Sequence, residues 1–396
     1  MSDHVGERPR KAAKRGAQKL AINRLRDRGE LDGATIDRFL ARHQVPIIEG
    51  ERATFLFRGE ADEVRVRHRV VGLPDPLPLR RIGESVLWAA TTDLPTGSRV
   101  EYQLETRRGE HYERFNDPLN ARVASSPMGS SSVCAAQGYA IPEWVHHNPE
   151  AREGELFSEV LRSKALRREQ DVLLYLPARF NRATRYPLLI VHDGTDYLGF
   201  TAMKTVLDNL IHNLDIAPMI VAFVPPKDRL REYPNHAPHA RFIARELLPL
   251  LNERFPLLDN PSGRTLMGSS FGGIAALSTA VRYPGVFGSL FLQSASLVFT
   301  DIGSDHGGGP YFDPVVKFVN RYRAKPTAPV ERIFMTCGMY EPLITPNRSM
   351  VPVFRSTGMT VKYTEARDGH NWENWRDQLK DGLSWLHPGP HMFVYE

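Results

Sequence analysis

Two hydrophobic rhythms divide the chain. From about residue 47 to 125 apolar and polar positions alternate with a period of two. Val64, Val66 and Val70 interleave with Arg65, Arg67 and Arg69 around His68, and Val100, Tyr102 and Leu104 alternate with polar neighbours. Such alternation predicts strands with one buried and one wet face, hence an antiparallel sheet. The turns Leu73-Pro74-Asp75 and Pro95-Thr96-Gly97 punctuate it at the spacing of a small immunoglobulin-like β-sandwich. Asn116-Asp117-Pro118 and the serine-rich stretch Ser125 to Ser132 read as a surface linker.

From about residue 155 the rhythm becomes short apolar runs separated by helix-length segments. The runs are Val172 to Leu176, Pro187 to His192, Met219 to Val224, Thr265 to Gly268, Ser289 to Gln293, Ile333 to Thr336 and Val361 to Thr364. Helical stretches are expected near 202–213, 239–254, 272–283, 311–323, 346–357 and 372–386. Strands apolar on both faces that alternate with helices imply a mostly parallel sheet covered by helices on both sides. Before residue 46, Ile36, Phe39 and Leu40 recur at helical spacing, with Thr35 as the expected cap and Pro46 beyond the end. The expected organisation is therefore a basic, partly helical arm over 1–45, a β-sandwich with linker over 46–150, and an α/β unit over 151–396.

Charge refines this picture. The 396 residues carry a formal net charge of +5, yet Arg8 to Arg28 alone holds nine Lys/Arg against the single acid Asp27. The remainder is net acidic, so the basicity belongs to the arm and a nucleic-acid-binding fold is not expected. No apolar run approaches the length of a membrane span. The first residues show no apolar segment behind their positive charges, and the two cysteines, Cys134 and Cys337, lack a CxxC spacing. Both features lead to the expectation of a cytoplasmic protein with free thiols. The histidine pairs His146-His147 and His236/His239 come without HExxH or CxxC, so neither a metal nor another cofactor is expected.

One segment carries chemistry openly. Gly268-Ser269-Ser270-Phe271-Gly272 is a G-x-S-x-G between an apolar strand and a small-residue helix. The two glycines let strand and helix cross closely while Ser270 occupies the apex, above a helix N-terminus that favours developing negative charge. A serine hydroxyl needs a base, and the base an orienting acid. In an α/β-hydrolase these follow in the order Ser, Asp/Glu, His. Glu341 directly follows the strand around Ile333 to Thr336, and Asp368-Gly369-His370 follows the strand around Val361 to Thr364. Both thus fall at strand C-termini, where open α/β sheets place their sites. Asp301, Asp305, Asp313 and Asp368 are rivals of Glu341 for the acid. The oxyanion donors expected are the N–H groups of Phe271 and of Gly194, with Thr195 as the alternative to Gly194. Asp193 is expected to tie down its loop. Arg229 and Glu232 are expected to pair with each other, while Arg229, Arg231 and Tyr233 are candidates for holding an anionic substrate. Trp372, Trp375 and Trp385 read as packing residues.

Several motifs in order resemble enterochelin esterases, the α/β-hydrolases that cleave the ester trilactone of catecholate siderophores. They are His192-Asp193-Gly194, Val206 to Leu210, Arg229 to Pro234, Glu246 to Pro249, Gly268 to Gly273, and Gly369-His370 with Trp375-Arg376. The β-patterned region ending in Asn116 to Asn120 is similar to that family's N-terminal part. The resemblance implies a serine esterase with Ser270 as nucleophile, Glu341 as acid and His370 as base. It also implies a small-molecule ester as substrate, a ferric catecholate siderophore among the candidates. Siderophore-cleaving members carry aromatic residues, including tryptophan, after the strand that follows the nucleophile helix. Here that segment is Ser294 to Phe299, with a single aromatic. An aryl or feruloyl carboxylesterase and an acyltransferase of the same fold are the alternatives, ahead of a non-catalytic binding protein.

Overall fold

A computed structural model describes residues 19–300 and 309–390. The basic residues of the arm before Lys19, and the rival acids Asp301 and Asp305, lie outside the described residues.

The N-terminal half is built from β1 (Ile47–Glu49), β2 (Arg52–Arg58), β3 (Glu63–His68), β4 (Leu77–Arg81), β5 (Leu87–Asp93), β6 (Arg99–Arg108), β7 (His111–Phe115), β8 (Val123–Ser126) and β9 (Gly129–Ala135). All pair antiparallel, in the order β1-β2-β5-β4-β3-β6-β9-β8 with β7 on β6. In a flat sheet β2 and β6 would stand four strand spacings apart, about 19 Å. Instead the rings of Phe55 and Tyr102 meet edge to face at 4.8 Å. The sheet has folded over at β4, and Phe57, Val64, Val66, Trp88, Leu104 and Cys134 close the apolar layer between the two leaves.

The outer face of β2 and β5 is covered by the helices Ala21–Arg26 and Gly33–Leu40, whose Ile22, Leu25 and Ile36 pack on Leu56, Ile82, Leu87 and Ala89. The described part of the arm therefore docks on the sheet through one face of each helix, while most of the residues between Arg26 and Ala34 are exposed. Asp32, not Thr35, caps the second helix, accepting the Thr35 N–H at 2.8 Å. The expected surface linker is also corrected. Ser125 to Ser132 belongs to the β8–β9 hairpin, because Ser132 is buried and Val133 and Cys134 supply a short apolar face that pairs with β6.

The second sheet contains β10 (Glu155–Ser163), β11 (Arg168–Leu176), β12 (Leu188–His192), β13 (Ile220–Val224), β14 (Arg264–Ser269), β15 (Ser289–Gln293), β16 (Arg332–Gly338) and β17 (Thr360–Ala366). Its order is β10-β11-β13-β12-β14-β15-β16-β17. The ladders from β13 through β17 are parallel, and β10 and β11 close one edge antiparallel. Each central strand buries both faces. Leu188 and Ile190 join the cluster under the helices Phe271–Arg282, Asp313–Ala324 and Ile344–Arg355. Leu189 and Val191 face the opposite cluster, closed by Met203–His212 and Leu379–Leu386. The stretch expected as one helix over 372–386 is two, Trp372–Asp377 and Leu379–Leu386, meeting at Gln378. The short helix Gly194–Phe200 was not anticipated, nor was the edge strand β10, five of whose nine residues are exposed.

Ile190 is fully buried at the sheet centre. Ile190→Ala is expected to cost about 2–5 kcal/mol in denaturant unfolding through lost transfer energy and the cavity left behind. A loss below about 1 kcal/mol would mean that this cluster is not the packed core described.

Candidate active site

Strand β14 ends at Ser269 and the helix Phe271–Arg282 begins two residues later, so Ser270 alone makes the turn. Its backbone sits at φ 54°, ψ −121°, a region that favours glycine and costs a side chain about 1–3 kcal/mol. Hydrogen bonds hold it there. The Ser270 N–H donates to the Gln293 carbonyl at 3.0 Å, and its own carbonyl accepts the N–H groups of Ser296 at 3.0 Å and Gly273 at 3.1 Å. The crossing is too close for side chains. A Cβ on Gly268 would lie 2.4 Å from the Gly272 carbonyl carbon, and one on Gly273 would lie 2.6 Å from the Ala295 Cβ.

Glu341 lies just past β16 and His370 just past β17, and the structure brings them together. His370 Nδ1 meets Glu341 Oε2 at 2.5 Å. The other carboxylate oxygen, Oε1, accepts the Gly338 N–H at 2.7 Å and the Ser294 hydroxyl at 2.5 Å. Burial alone would raise the pKa of this carboxyl, which is 1% exposed. His370, Ser294 and the Gly338 N–H outweigh burial and hold it below its ordinary value, so Glu341 is an anion at neutral pH. Trp375 supports the group twice. Its Nε1–H donates to Ser294 Oγ at 3.0 Å, and its ring stands edge-on to the His370 imidazole, centroids 5.1 Å apart. With Nδ1 committed to Glu341, Nε2 is the His370 nitrogen left to exchange a proton.

Ser270 and His370 line one cleft of about 480 Å³. The Ser270 hydroxyl contacts Ser296 Oγ at 3.3 Å, and no hydrogen bond joins it to His370. Serine–histidine contacts that are long in ligand-free enzymes tighten when substrate binds. The N-terminal half lines the same cleft with Arg67, His68, Arg69 and Arg114, and with the β8–β9 hairpin from Ser125 to Ser131.

The other expected residues sort clearly. Phe271 opens the helix that follows Ser270, whose first N–H groups have no partner within the helix. Gly194 opens the next-door helix, and its glycine is required because a Cβ would lie 2.5 Å from the Phe223 backbone. The two helix starts abut: a Cβ on Gly272 would lie 3.1 Å from Asp193 Oδ2. Asp193 ties its loop down as expected, but its partner is Arg229, at 2.8 and 2.9 Å. Arg229 and Glu232 therefore do not pair, and Glu232 binds Arg168 instead. Arg229 lines the cleft. Arg231 is exposed away from it, and Tyr233 is fully buried, its hydroxyl accepting the Asp193 N–H at 2.7 Å. Neither Arg231 nor Tyr233 reaches a substrate in the cleft. Trp372 and Trp375, expected as packing alone, both line it. Of the rival acids, Asp313 starts the helix Asp313–Ala324 and Asp368 is buried against Arg99. Ser294, Ser296 and Arg99 escaped the sequence reading because each acts through a partner distant in the chain.

Burial pushes His192 down to about 4 and His239 well below its ordinary value, so both are neutral packing groups. Among the described residues no group of His, Cys, Asp and Glu is placed to hold a metal, and no helix is long and apolar enough to cross a membrane.

Residues 163–386, more than half of the chain, match the family described as putative esterase. The chain belongs to that family. Iron(III) enterobactin esterase of Escherichia coli (strain K12) is 24% identical to this esterase over 334 residues, 78% of this chain and 81% of that protein. The uncharacterized protein YjcH of Bacillus subtilis (strain 168) is 33% identical over 139 residues, 33% of this chain and 58% of its own. Enterochelin esterase from Shigella flexneri has a similar fold, with a TM-score of 0.69 at 21% identity over 86% of this chain and 94% of that one. The fold of this esterase is thus α/β hydrolase-like, and its activity class is carboxylic ester hydrolysis.

The glycine crossing gives a direct check. Gly268→Ala drives a methyl into the Gly272 backbone, so unfolding should show a loss of about 1–3 kcal/mol. Ester turnover should fall more than about tenfold as the elbow shifts. Unchanged stability and rate would show that the strand and helix do not cross as described.

Proposed function

We propose that Ser270, His370 and Glu341 form the catalytic triad of a serine esterase. The observation that carries the reading is the 2.5 Å contact between a buried, ionised Glu341 and His370, which lines the same cleft as the strained Ser270. In the first step the Ser270 hydroxyl attacks the ester carbonyl carbon while His370 Nε2 takes its proton. The carbonyl oxygen becomes an oxyanion, held by the N–H groups of Phe271 and Gly194. Glu341 stabilises the imidazolium and keeps Nε2 turned toward the serine. Collapse of the intermediate breaks the C–O bond, and His370 returns the proton to the leaving alcohol. Water activated by His370 then attacks the acyl-serine, releasing the acid and restoring the hydroxyl.

For the substrate we favour a siderophore trilactone or a related aryl or hydroxy-acid ester, with the N-terminal unit, read as an immunoglobulin-like sandwich over residues 46–150, forming one wall. The names borne by the enterobactin esterase relatives support this. So does a 480 Å³ cleft whose walls include Arg69, Arg114 and Arg229 beside Trp372 and Trp375, suited to flat rings bearing acidic oxygens. One observation favours the simpler aryl-ester reading. Ser294 to Leu297 are buried, and the single aromatic of that segment, Phe299, is covered by the Arg323 guanidinium at 3.7 Å.

Ser270→Ala is expected to reduce kcat/KM by at least about 10⁴-fold, and Glu341→Gln by about 10³–10⁴-fold, with folding intact. Nitrophenyl ester turnover measures both, and a Ser270→Ala protein of wild-type rate would end the proposal. A panel of ferric and iron-free catecholate trilactones, feruloyl esters and simple nitrophenyl esters then ranks the substrates. Trilactone cleavage no faster than that of nitrophenyl esters would favour the aryl esterase, and acyl products appearing with added alcohols would favour the transferase.

A further inference from the structure

The base of the proposed triad is held from outside its own half of the chain. Arg99, at the start of β6, is 1% exposed, and its guanidinium reaches across to the loop that carries His370. Its Nη1 donates to the Asp368 carboxylate at 3.2 and 3.3 Å and to Asn371 Oδ1 at 3.0 Å, so it grips residues on both sides of His370. Nη2 meets Glu101 at 2.9 Å and Glu373 at 2.5 Å.

The same short segment makes further bonds to both triad loops. The Arg99 N–H donates to the Arg367 carbonyl at 2.9 Å, and Arg367 Nη1 donates to the Thr96 carbonyl at 2.5 Å. Ser98 Oγ and the hydroxyl of Tyr340, the residue before Glu341, lie 2.5 Å apart. Asp368 is the centre of this clamp. Its carboxylate also accepts the Gly369 N–H and the Asn371 side-chain amide, both at 2.7 Å. Burial pushes the Asp368 carboxyl up to about 6, and Arg99 works against that rise, favouring the anion it binds. Arg99 itself is opposed by burial but kept charged by Asp368, Glu373 and Glu101.

Resting on the triad proposed above, we infer that Arg99 is a positioning residue: through Asp368 and Asn371 it sets His370 against Ser270, which makes the N-terminal β unit a working part of the catalytic machinery rather than only a wall of the cleft. A loop residue pinned on both sides by one rigid, forked cation cannot drift, and drift of about 1 Å at a catalytic base costs orders of magnitude in rate.

The test compares wild type, Arg99→Met, Arg99→Lys and Asp368→Asn in the full chain, with 4-nitrophenyl butyrate as probe and Ser270→Ala as blank. Arg99→Met is expected to lower kcat by at least about tenfold with KM within about twofold, because the ester still binds while the base is misplaced. Arg99→Lys, which keeps the charge but not the fork, should recover part of the lost kcat. Asp368→Asn leaves Arg99 its other two carboxylates and should show the same selective loss of kcat, and it decides the matter if Arg99→Met does not fold. Wild-type kcat in Arg99→Met and Asp368→Asn would overturn the inference. So would a loss that Arg99→Lys does not relieve, or one in which KM rises as much as kcat falls. A Ser270→Ala protein that still turns over would instead overturn the triad reading, so the two failures are distinguishable.

Discussion

Glu341 is a carboxylate with almost no access to water, and the arrangement around it follows from that. Removing the partners of such a buried charge costs about 3–5 kcal/mol, so the chain must supply donors to both of its oxygens. Gly338 and Ser294 satisfy Oε1 and His370 satisfies Oε2. Each of these lies at or beyond the C-terminal end of a parallel strand, which is why β15, β16 and β17 deliver their loops to one rim. Trp375 then holds Ser294 and packs its ring against His370. The imidazole orientation that the proposed triad requires is thus also the arrangement that lets the acid remain buried and charged.

Around this pair the molecule stores strain and relieves it through packing. Ser270 is held in a backbone region that suits glycine, and Gly268 and Gly273 give up their side chains so that the helix after Ser270 can lie against β14 and the Ala295 loop. The neighbouring loop is fixed by an ion pair between buried Asp193 and half-buried Arg229, whose guanidinium lies over the rings of Tyr233 and Phe271. The Gly194 and Phe271 helix starts are therefore held against each other beside Ser270. The folded-over antiparallel sheet lines part of the cleft, so the cleft's shape depends on how the two halves meet.

What was legible in the sequence was local or periodic. The rhythm of buried apolar runs located seven of the eight strands of the second sheet, because burial on both faces leaves a direct imprint on residue order, whereas two-residue alternation picked out only β3 and β6 among the first nine strands. The Ser270 turn was legible since its requirements sit within five residues, and Glu341 and His370 because they follow recognisable strands. What escaped was long-range or weakly apolar. The β8–β9 hairpin is written mostly in serines, which carry turn signals, and its place is decided by pairing with β6. Arg99 and Asp368 are 269 positions apart, and no spacing rule joins them. Arg231 and Tyr233 were read as substrate contacts from residue type alone. Only the fold shows that one points away from the cleft and the other is buried beneath Asp193.

The most direct measurement of the central claim is covalent labelling of the folded, full-length protein with a fluorophosphonate, followed by mass mapping of the adduct. An activated serine beside an oriented imidazole should give one adduct, on Ser270, formed more slowly in Glu341→Gln. Absence of labelling, or an adduct on Ser269 or Ser296 in its place, would contradict the account.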